Sequence, residues 1–262
     1  MQHGTWRTVI LAAGRGPNDP MAEAFGIAHK CALPIAGKPM LAWVIEALAG
    51  ADLQTPFVVS IDDRSAAIVA AGSSSSLLQI LPSGPSAPAS AIDAILDIGT
   101  YPVLITTGDH PLLTPSIIQH FLDAAEANGA DVLAGLATRE TIDASYPETR
   151  RTYFNLGGTR VSGCNLFAVM NARGLRMLEA WQELEKNRKK PWKLVAAFGV
   201  APLFHFMAGS LTPDRAFSLM SKKLGIKVAP VFMPFAEAAI DVDKPSDHQL
   251  AEQILQRRSA PA

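Results

Sequence analysis

Two glycines and two basic residues follow the first apolar run of the sequence, in VILAAGRGPNDPMAEAFGIAHKCALPIAGKP, from Val9 to Pro39. Gly14 and Gly16 allow backbone N–H groups to approach an anion closely, and Arg15 and Lys30 carry charge that would neutralise a polyphosphate. The segment from Gly16 to a second glycine turn at Gly37 is longer than the about 2–6 residues that are usual for a connection between a strand and the next element. These features indicate either a loop that wraps a nucleotide or a tight turn with solvated basic side chains.

This stretch matches neither of the two common phosphate-binding motifs. A Walker A loop has Ser or Thr after its Lys, whereas AGKPM has Pro39 at that position. The dinucleotide-binding motif has a third glycine, which GRGPND lacks. A phosphate-binding loop here is therefore of another type.

Two aspartates stand where carboxylates could bind a metal ion. Asp109 follows the apolar run PVLITT, and Asp243 precedes the last amphipathic segment of the chain. Asp109 can also form a turn before Pro111, and Asp243 can also cap a helix. Asp241, two residues before Asp243, is the other carboxylate of this segment, and Asp243 is the one we favour. His110 is expected to pack or to orient the loop.

Short apolar runs alternate with amphipathic segments along the first half of the chain. The pattern predicts strands at TVILAAG, PFVVSID, LLQILP, PVLITTGD and DVLAGLA, with helices between them. Thr114 and Pro115 have the types expected at a helix start, and Ser90, with Asp93 three residues on, has capping-box spacing. The alternation predicts an α/β fold with a doubly wound, mostly parallel sheet.

Ligands on such sheets bind beyond the carboxyl ends of the strands. That rule brings together Gly14, Pro82 and Asp109, each of which ends a different predicted strand. In the second half, RVSGCNLFAVM and KVAPVFM are predicted strands, DVDKPSDHQLAEQILQRR is a closing helix, and residues 138–160 form an excursion from the sheet.

Composition sets broad limits. The 262 residues are 48% hydrophobic and 18% charged, with a formal net charge of −1, which is typical of a globular protein and gives no reason to expect a nucleic-acid partner. Two distant cysteines argue against a disulfide framework. Without an apolar leader or a run of about 18 apolar residues, we expect a cytoplasmic protein with no transmembrane segment. A homo-oligomer is compatible with the sequence.

Three segments together resemble the nucleotidyltransferases of the molybdenum-cofactor-guanylyltransferase-like (MobA-like) and sugar-phosphate nucleotidyltransferase group. LAAGRG…HKCALPIAGKPMLAWVIEAL is similar to the group's first motif, TTGDHPLLTP to its fourth-strand motif and IDVDKPSDHQLAEQIL to its closing motif. The resemblance implies a Rossmann-like, GT-A-type fold with an inserted acceptor-side subdomain. It implies one domain over residues 1–262, with a nucleotide-binding half (about 1–137), an acceptor-side region (about 138–235) and a closing motif and helix (236–262).

The resemblance also implies an activity. A nucleoside monophosphate would pass from an NTP to a phosphorylated small-molecule acceptor, with release of pyrophosphate. Asp109 and Asp243 would bind Mg²⁺, and the catalytic residues would be Lys30, Arg15 and Asp109. The implied nucleotide contacts are Leu11, Ala12, Ala13, Gly14, Arg15, Gly16, Lys30, Ser83, Gly84, Ser90 and Gly108. The implied acceptor contacts are Gly163, Asn165 and Lys223.

One departure from the family pattern keeps alternatives open. The family usually has an arginine two residues after the second turn glycine, where this chain has Asn18. A non-catalytic nucleotide-binding regulator is therefore one alternative. A GT-A-type glycosyltransferase that uses DVD (241–243) as its metal motif is another, although that motif lies unusually near the C-terminus. The basic run 187–193 fits a solvated loop, an acceptor-phosphate contact or a membrane contact.

Overall fold

The computed structural model describes residues 3–14, 19–185 and 211–259. Strands and helices alternate along most of this part of the chain. In chain order the strands are β1 (Arg7–Leu11), β2 (Pro34–Ile35), β3 (Lys38–Pro39), β4 (Phe57–Ile61), β5 (Leu78–Pro82), β6 (Val103–Thr107), β7 (Val132–Thr138), β8 (Phe154–Leu156), β9 (Thr159–Val169) and β10 (Val228–Phe232). The helices are α1 (Pro20–Phe25), α2 (Met40–Gly50), α3 (Arg64–Ala71), α4 (Ala87–Ile98), α5 (Pro115–Asn128), α6 (Arg139–Ser145), α7 (Leu175–Glu185), α8 (Pro213–Leu224) and α9 (Pro245–Ser259).

Eight of the strands in this described part form one sheet in the order β10-β7-β9-β6-β1-β4-β5, with β8 paired to β9. β1 pairs in parallel with β4 and β6, β4 with β5, and β10 with β7. β9 runs antiparallel to both of its neighbours, β6 and β7. The predicted α/β fold with a mostly parallel sheet is confirmed. We call the edge where the parallel strands finish the carboxyl edge, and the opposite one the amino edge.

Helices cover both faces of the sheet. In β1, Val9 packs in one apolar cluster with Ile95 of α4, and Ile10 packs in another cluster with Val44 of α2. Successive side chains of a strand point to opposite faces, so a strand covered on both sides needs apolar residues at every position. This explains why the predicted strands are continuous apolar runs and not alternating ones.

Helix α9 is held by an apolar cluster of its own. Ile254 and Leu255 pack with Leu33 and Ile35, near the β2–β3 hairpin, and with Leu112, just after β6. This packing holds α9 against the segment that follows β6, and the N–H of Val242, just before the helix, donates to the carbonyl of Asp109 at 2.9 Å. Asp243, two residues before α9, is thereby brought close to the residues that follow β6.

The predicted helix starts had different outcomes. Thr114 caps α5 as expected, because its side chain accepts a backbone N–H of the first turn. The capping role assigned to Ser90 is wrong: α4 begins at Ala87, and Ser86 is its N-cap. Pro88 lies in the first turn, where its missing N–H costs nothing, and this favours the earlier start.

Three remaining points concern the whole chain. Cys31 and Cys164 are both buried and free. Of the helices in the described ranges, none combines the length and hydropathy needed to cross a membrane. The division of the chain near residues 137 and 235 stays a prediction.

Candidate active site

The turn after β1 lies against the end of β6 at the carboxyl edge. The N–H of Gly108 donates to the carbonyl of Leu11 at 2.9 Å, and the N–H of Ala12 donates to the carbonyl of Ser60 at 2.9 Å. A Cβ on Gly108 would lie only 3.0 Å from the Cβ of Ala12. Glycine therefore allows the two segments to approach closely, and the implied nucleotide contacts Leu11, Ala12 and Gly108 are brought together.

Lys30 reaches the same edge from a short 3₁₀ segment, Lys30–Ala32. Its Nζ donates to Oδ2 of Asp109 and to Oδ1 of Asp243, at 2.8 Å in both cases. Burial alone would lower the pKa of Lys30, but the two carboxylates outweigh burial and raise the pKa above its ordinary value. Lys30 is therefore charged at neutral pH, and it joins three segments that are far apart in the sequence.

The two aspartates form a carboxylate pair around Lys30. Both oxygens lie 2.8 Å from Nζ, so they lie less than twice that distance from each other. The backbone is tied here too, because the N–H of Val242 donates to the carbonyl of Asp109 at 2.9 Å. The other carboxylate oxygen of Asp109, Oδ1, is buried and accepts no hydrogen bond from any described residue. A buried oxygen of this kind is suited to a cation.

The donor set can be compared with what Mg²⁺ requires. Mg²⁺ prefers oxygen ligands and is often held by one or two carboxylates, with substrate phosphates and waters completing its shell. Asp109 and Asp243 match that set, whereas no three His, Cys, Asp or Glu side chains of the described residues converge as a metal site. The residues therefore fit a Mg²⁺ ion that is bound together with a phosphorylated substrate.

These groups line one cleft. Its wall contains Leu11, Ala12 and Ala13 from the turn after β1, and Gly108 from the turn after β6. Lys30, Asp109 and Asp243 supply its charges. Asp19 and Met40 also line the cleft, and neither was singled out in the sequence. Most of the implied nucleotide and metal residues within the described ranges thus share a single cavity at the carboxyl edge.

Gly14 is held by a contact that the sequence did not reveal. Its N–H donates to Oδ1 of Asp62 at 2.8 Å, and the same oxygen lies 3.0 Å from Nε2 of His29. Burial alone would raise the pKa of Asp62, but the bonds from Gly14 and His29 outweigh it and hold the pKa below its ordinary value. Asp62 follows β4, and His29 precedes Lys30, so this contact ties the first turn to the Lys30 segment.

The loop after β5 holds the residues assigned to the nucleotide base. The hydroxyl of Ser90 accepts the N–H of Gly84 at 2.9 Å, and the N–H of Ser83 donates to the carbonyl of Ile61 at 3.0 Å. A Cβ on Gly84 would lie 3.2 Å from the Cβ of Ala89. Ser90 thus folds the loop onto α4, and a role of these residues in base binding stays a prediction.

Of the three implied acceptor residues, Asn165 and Gly163 lie on β9 and Lys223 lies on α8. Asn165 donates from Nδ2 to Oδ2 of Asp241 at 3.1 Å, which places it beside the closing motif. Gly163 lies on the same strand, and a Cβ there would meet no described atom within 4 Å. Lys223 lies in the last turn of α8, and the carbonyl of Gly225 just after it accepts from Arg173 at the amino edge. The structure therefore does not bring Lys223 to the cluster of Lys30, Asp109 and Asp243, which we call the Lys30 cluster.

His110 is a structural residue in this arrangement. It is 1% exposed, and its Nε2 lies 3.1 Å from the carbonyl oxygen of Glu237. Burial lowers the pKa of His110 to about 4, so the ring is neutral at pH 7. The expectation that His110 packs and orients the loop agrees with these contacts.

Several residues singled out in the sequence lie outside the described residues. Arg15 and Gly16, which were assigned to the triphosphate, are among them, as are Asn18 and the basic run 187–193. Their roles stay predictions.

Comparisons with known proteins agree with this geometry. A family model for the MobA-like NTP transferase domain matches residues 8–197, more than half of the chain. The bifunctional protein GlmU of Sinorhizobium fredii is 31% identical over 193 residues, which are 65% of this chain and 41% of that protein. The 2-C-methyl-D-erythritol 4-phosphate cytidylyltransferase of Cereibacter sphaeroides is 34% identical over 128 residues, which are 47% of this chain and 55% of that protein. The match thus spans about half the length of these relatives.

A solved structure supports the same assignment over the whole fold. A hypothetical transferase from Thermus thermophilus is 25% identical, with a TM-score of 0.76 over 95% of this chain and 100% of that chain. The segment matched by the family model contains the turn after β1, Lys30 and Asp109. The chain belongs to the MobA-like NTP transferase family.

Proposed function

We propose that the protein is a nucleotidyltransferase that moves a nucleoside monophosphate from an NTP to a phosphorylated small-molecule acceptor and releases pyrophosphate. The observation that carries the proposal is the ammonium group of Lys30, held 2.8 Å from the carboxylates of both Asp109 and Asp243 in a cleft at the carboxyl edge. Family membership supports the same reaction class.

The chemistry requires two anions to meet, the acceptor phosphate and the triphosphate. An ionised acceptor phosphate already carries its nucleophilic oxygen, so no general base is needed, in agreement with His110, which is buried with its Nε2 at the carbonyl of Glu237. Lys30 would bind phosphate oxygens and stabilise the negative charge that develops as pyrophosphate leaves. Alignment of two bound substrates can lower the activation barrier by about 7–11 kcal/mol.

Mg²⁺ bound at Asp109 and Asp243 would neutralise phosphate charge and polarise the reacting phosphorus. Lys30 lies between these two residues, so its ammonium would turn toward the phosphates when that cation binds. Its long side chain with rotatable donors suits such a movement. The turn from Leu11 to Gly14 would lie along the triphosphate, and Asn165 would face the acceptor.

A glycosyltransferase is the weaker alternative. It would use both carboxylates of the DVD segment for its metal, but Asp241 is engaged by Arg151 and Asn165 and only Asp243 reaches Lys30. A non-catalytic nucleotide-binding regulator is the second alternative. It would bind an NTP at the same cleft without releasing pyrophosphate.

The test is a pyrophosphate-release assay with ATP, CTP, GTP and UTP, each combined with Mg²⁺ and a panel of phosphorylated acceptors. We expect release with one nucleotide and one acceptor, and a product whose mass equals acceptor plus nucleoside monophosphate. Nucleotide-dependent stabilisation without release over the whole panel would favour the regulator. In a parallel assay with nucleotide sugars in place of the NTPs, release of a nucleoside diphosphate would favour the glycosyltransferase.

A further inference from the structure

Arg151 is a largely buried arginine behind the closing motif, with 10% of its side chain exposed. Its Nη2 donates to Oδ1 of Asp241, and its Nη1 donates to the backbone carbonyl of Asp241 at 3.3 Å. The same Nη1 lies 3.6 Å from Oδ1 of Asp247. The guanidinium therefore bridges two carboxylates that stand on either side of Asp243 in the sequence.

Asp247, which Arg151 contacts, in turn holds the backbone of Asp243. Its Oδ2 accepts the N–H groups of Asp243 and Lys244, at 3.2 Å in both cases, and the residue is 4% exposed. On the other side, the N–H of Val242 is bound to the carbonyl of Asp109. The backbone around Asp243 is thus fixed at both ends, and only its side chain points to Lys30.

Asp241, the other carboxylate that Arg151 contacts, holds Asn165, which was assigned to the acceptor. Its Oδ2 accepts Nδ2 of Asn165 at 3.1 Å. Asn165 has a φ of 50°, a left-handed conformation that few residue types other than glycine and asparagine adopt readily. One guanidinium therefore holds, through Asp241, the side chain that was assigned to the acceptor and, through Asp247, the aspartate that was assigned to the metal.

We propose that Arg151 is a positioning residue that fixes Asp243 toward Asp109 and Asn165 toward the acceptor. The inference rests on the proposed function. Arginine suits this role because its planar group offers several N–H donors in fixed directions, whereas the ammonium of lysine is a single point of charge. Without the bridge, Asp241 would lose its cationic partner and Asp247 would keep only Lys244, whose Nζ lies 3.8 Å from its Oδ1, so negative charge would increase next to Asp243.

The direct test is the affinity of the protein for Mn²⁺ alone, measured from the free-ion signal in electron paramagnetic resonance. We expect Arg151→Lys to weaken Mn²⁺ binding about 10–100-fold, the usual effect of changing a residue that orients a metal ligand. Arg139→Lys is the matched control, because Arg139 pairs with Asp143 on the exposed side of α6 and should leave Mn²⁺ affinity unchanged. A purely structural role would lower Tm but leave the Mn²⁺ affinity of Arg151→Lys at the wild-type value.

Asp247→Asn gives a second variant in case Arg151→Lys does not fold. The amide keeps one oxygen for the N–H of Asp243 and removes the charge that faces Arg151, so we expect a smaller loss of Mn²⁺ affinity. Wild-type affinity in every folded variant of this pair would overturn the inference.

Asp109→Asn separates this inference from the proposed function. If the wild type binds Mn²⁺ and Asp109→Asn does not, the metal centre stands and the Arg151 variants decide the inference alone. If Asp109→Asn binds Mn²⁺ as the wild type does, the proposed centre and the inference both fail.

Discussion

Asp109 at the carboxyl edge and Asp131 at the amino edge are both largely buried aspartates beside a strand, but their oxygens are used differently. In Asp109 one oxygen binds Lys30, and the other has no hydrogen-bond partner among the described residues. In Asp131 one oxygen accepts Nδ2 of Asn171 at 2.9 Å, and the other accepts the N–H of Lys227 at 2.7 Å. The first carboxylate keeps a free binding position, and the second does not.

The comparison separates a binding site from a structural cluster of similar residues. Asp131 joins β7, β9 and β10 where these strands meet at the amino edge, and the N–H of Lys227 outweighs burial to hold its pKa below the ordinary value. The Lys30 cluster instead lines a cleft, and Oδ1 of Asp109 in it accepts no hydrogen bond from a described residue. Residue type alone does not distinguish the two edges, whereas hydrogen-bond saturation does.

The largest expected effect comes from the carboxyl edge. Asp109→Asn and Lys30→Met should each lower the rate of nucleotidyl transfer about 10²–10³-fold, because each removes a group placed to stabilise developing charge. Lys38→Met is the matched control for the lysine, since Lys38 is partly exposed and its ammonium pairs with Glu46 and lies over the ring of Trp43, outside the cleft. Initial rates of pyrophosphate release measure the effect, and a rate within about twofold of wild type in either site variant would contradict the assignment.

A smaller effect is expected where the two turns of the carboxyl edge touch. In Gly108→Ala the new Cβ would lie 3.0 Å from the Cβ of Ala12, so the turn after β1 must shift by a few tenths of an ångström at the site. We expect a loss of about 1–3 kcal/mol in the free energy of unfolding, together with a lower transfer rate. Urea denaturation measures the loss. Gly4→Ala, which meets no described atom within 4 Å, is the control and should match the wild type.

At the amino edge, Asp131→Asn should lower stability and leave the transfer rate unchanged. Asparagine has one carbonyl oxygen for two donors, so either Asn171 or Lys227 loses its acceptor, at a cost of about 1–3 kcal/mol. The folded-state pKa of Asp131 is lowered, so the stability it contributes is present above its unfolded pKa of about 3.9 and is lost as pH falls through the folded pKa. The stability difference between wild type and variant should therefore be full at pH 7 and shrink below about pH 3.9.

The smallest effect is expected at Glu126, also at the amino edge. Its Oε1 accepts Nε1 of Trp6 at 2.7 Å. Glu126→Gln keeps this acceptor and removes only the charge on a side chain that is more than a third exposed, so we expect a loss of about 0.5 kcal/mol. Thermal unfolding measures it. A loss of transfer activity in Glu126→Gln or Asp131→Asn would break the contrast between the edges.

The fold could be predicted because its strands are continuous apolar runs that a sheet covered on both faces requires. The direction of β9 was not predicted, since apolar content is the same whichever way a strand runs. The start of α4 was misplaced because Ser86 and Ser90 are both suitable caps, and the first-turn Pro88 decides between them. The β2–β3 hairpin has only two residues in each strand, and two residues are too few to show an alternation of apolar and polar side chains.

The site could be predicted in part, for a physical reason. Lys30, Asp109 and Asp243 occur in motifs that resemble those of the nucleotidyltransferase group, and their roles were predicted from that resemblance. Arg151 gave no such signal, because its partner Asp241 is 90 residues away and an arginine in a polar segment is indistinguishable from a solvated one. The contact of Asp62 with Gly14 was missed for the same reason, since pairing across a sheet edge depends on the register of strands.

The most direct test of the whole account is transfer of an NMP labelled at its α-phosphate to the acceptor, measured side by side in wild type, Asp109→Asn and Asp131→Asn. The account predicts labelled product in wild type and Asp131→Asn, and a loss of about 10²–10³-fold in Asp109→Asn while its fold is kept. Labelled product formed at the wild-type rate by Asp109→Asn would show that the carboxyl-edge centre is not where transfer occurs.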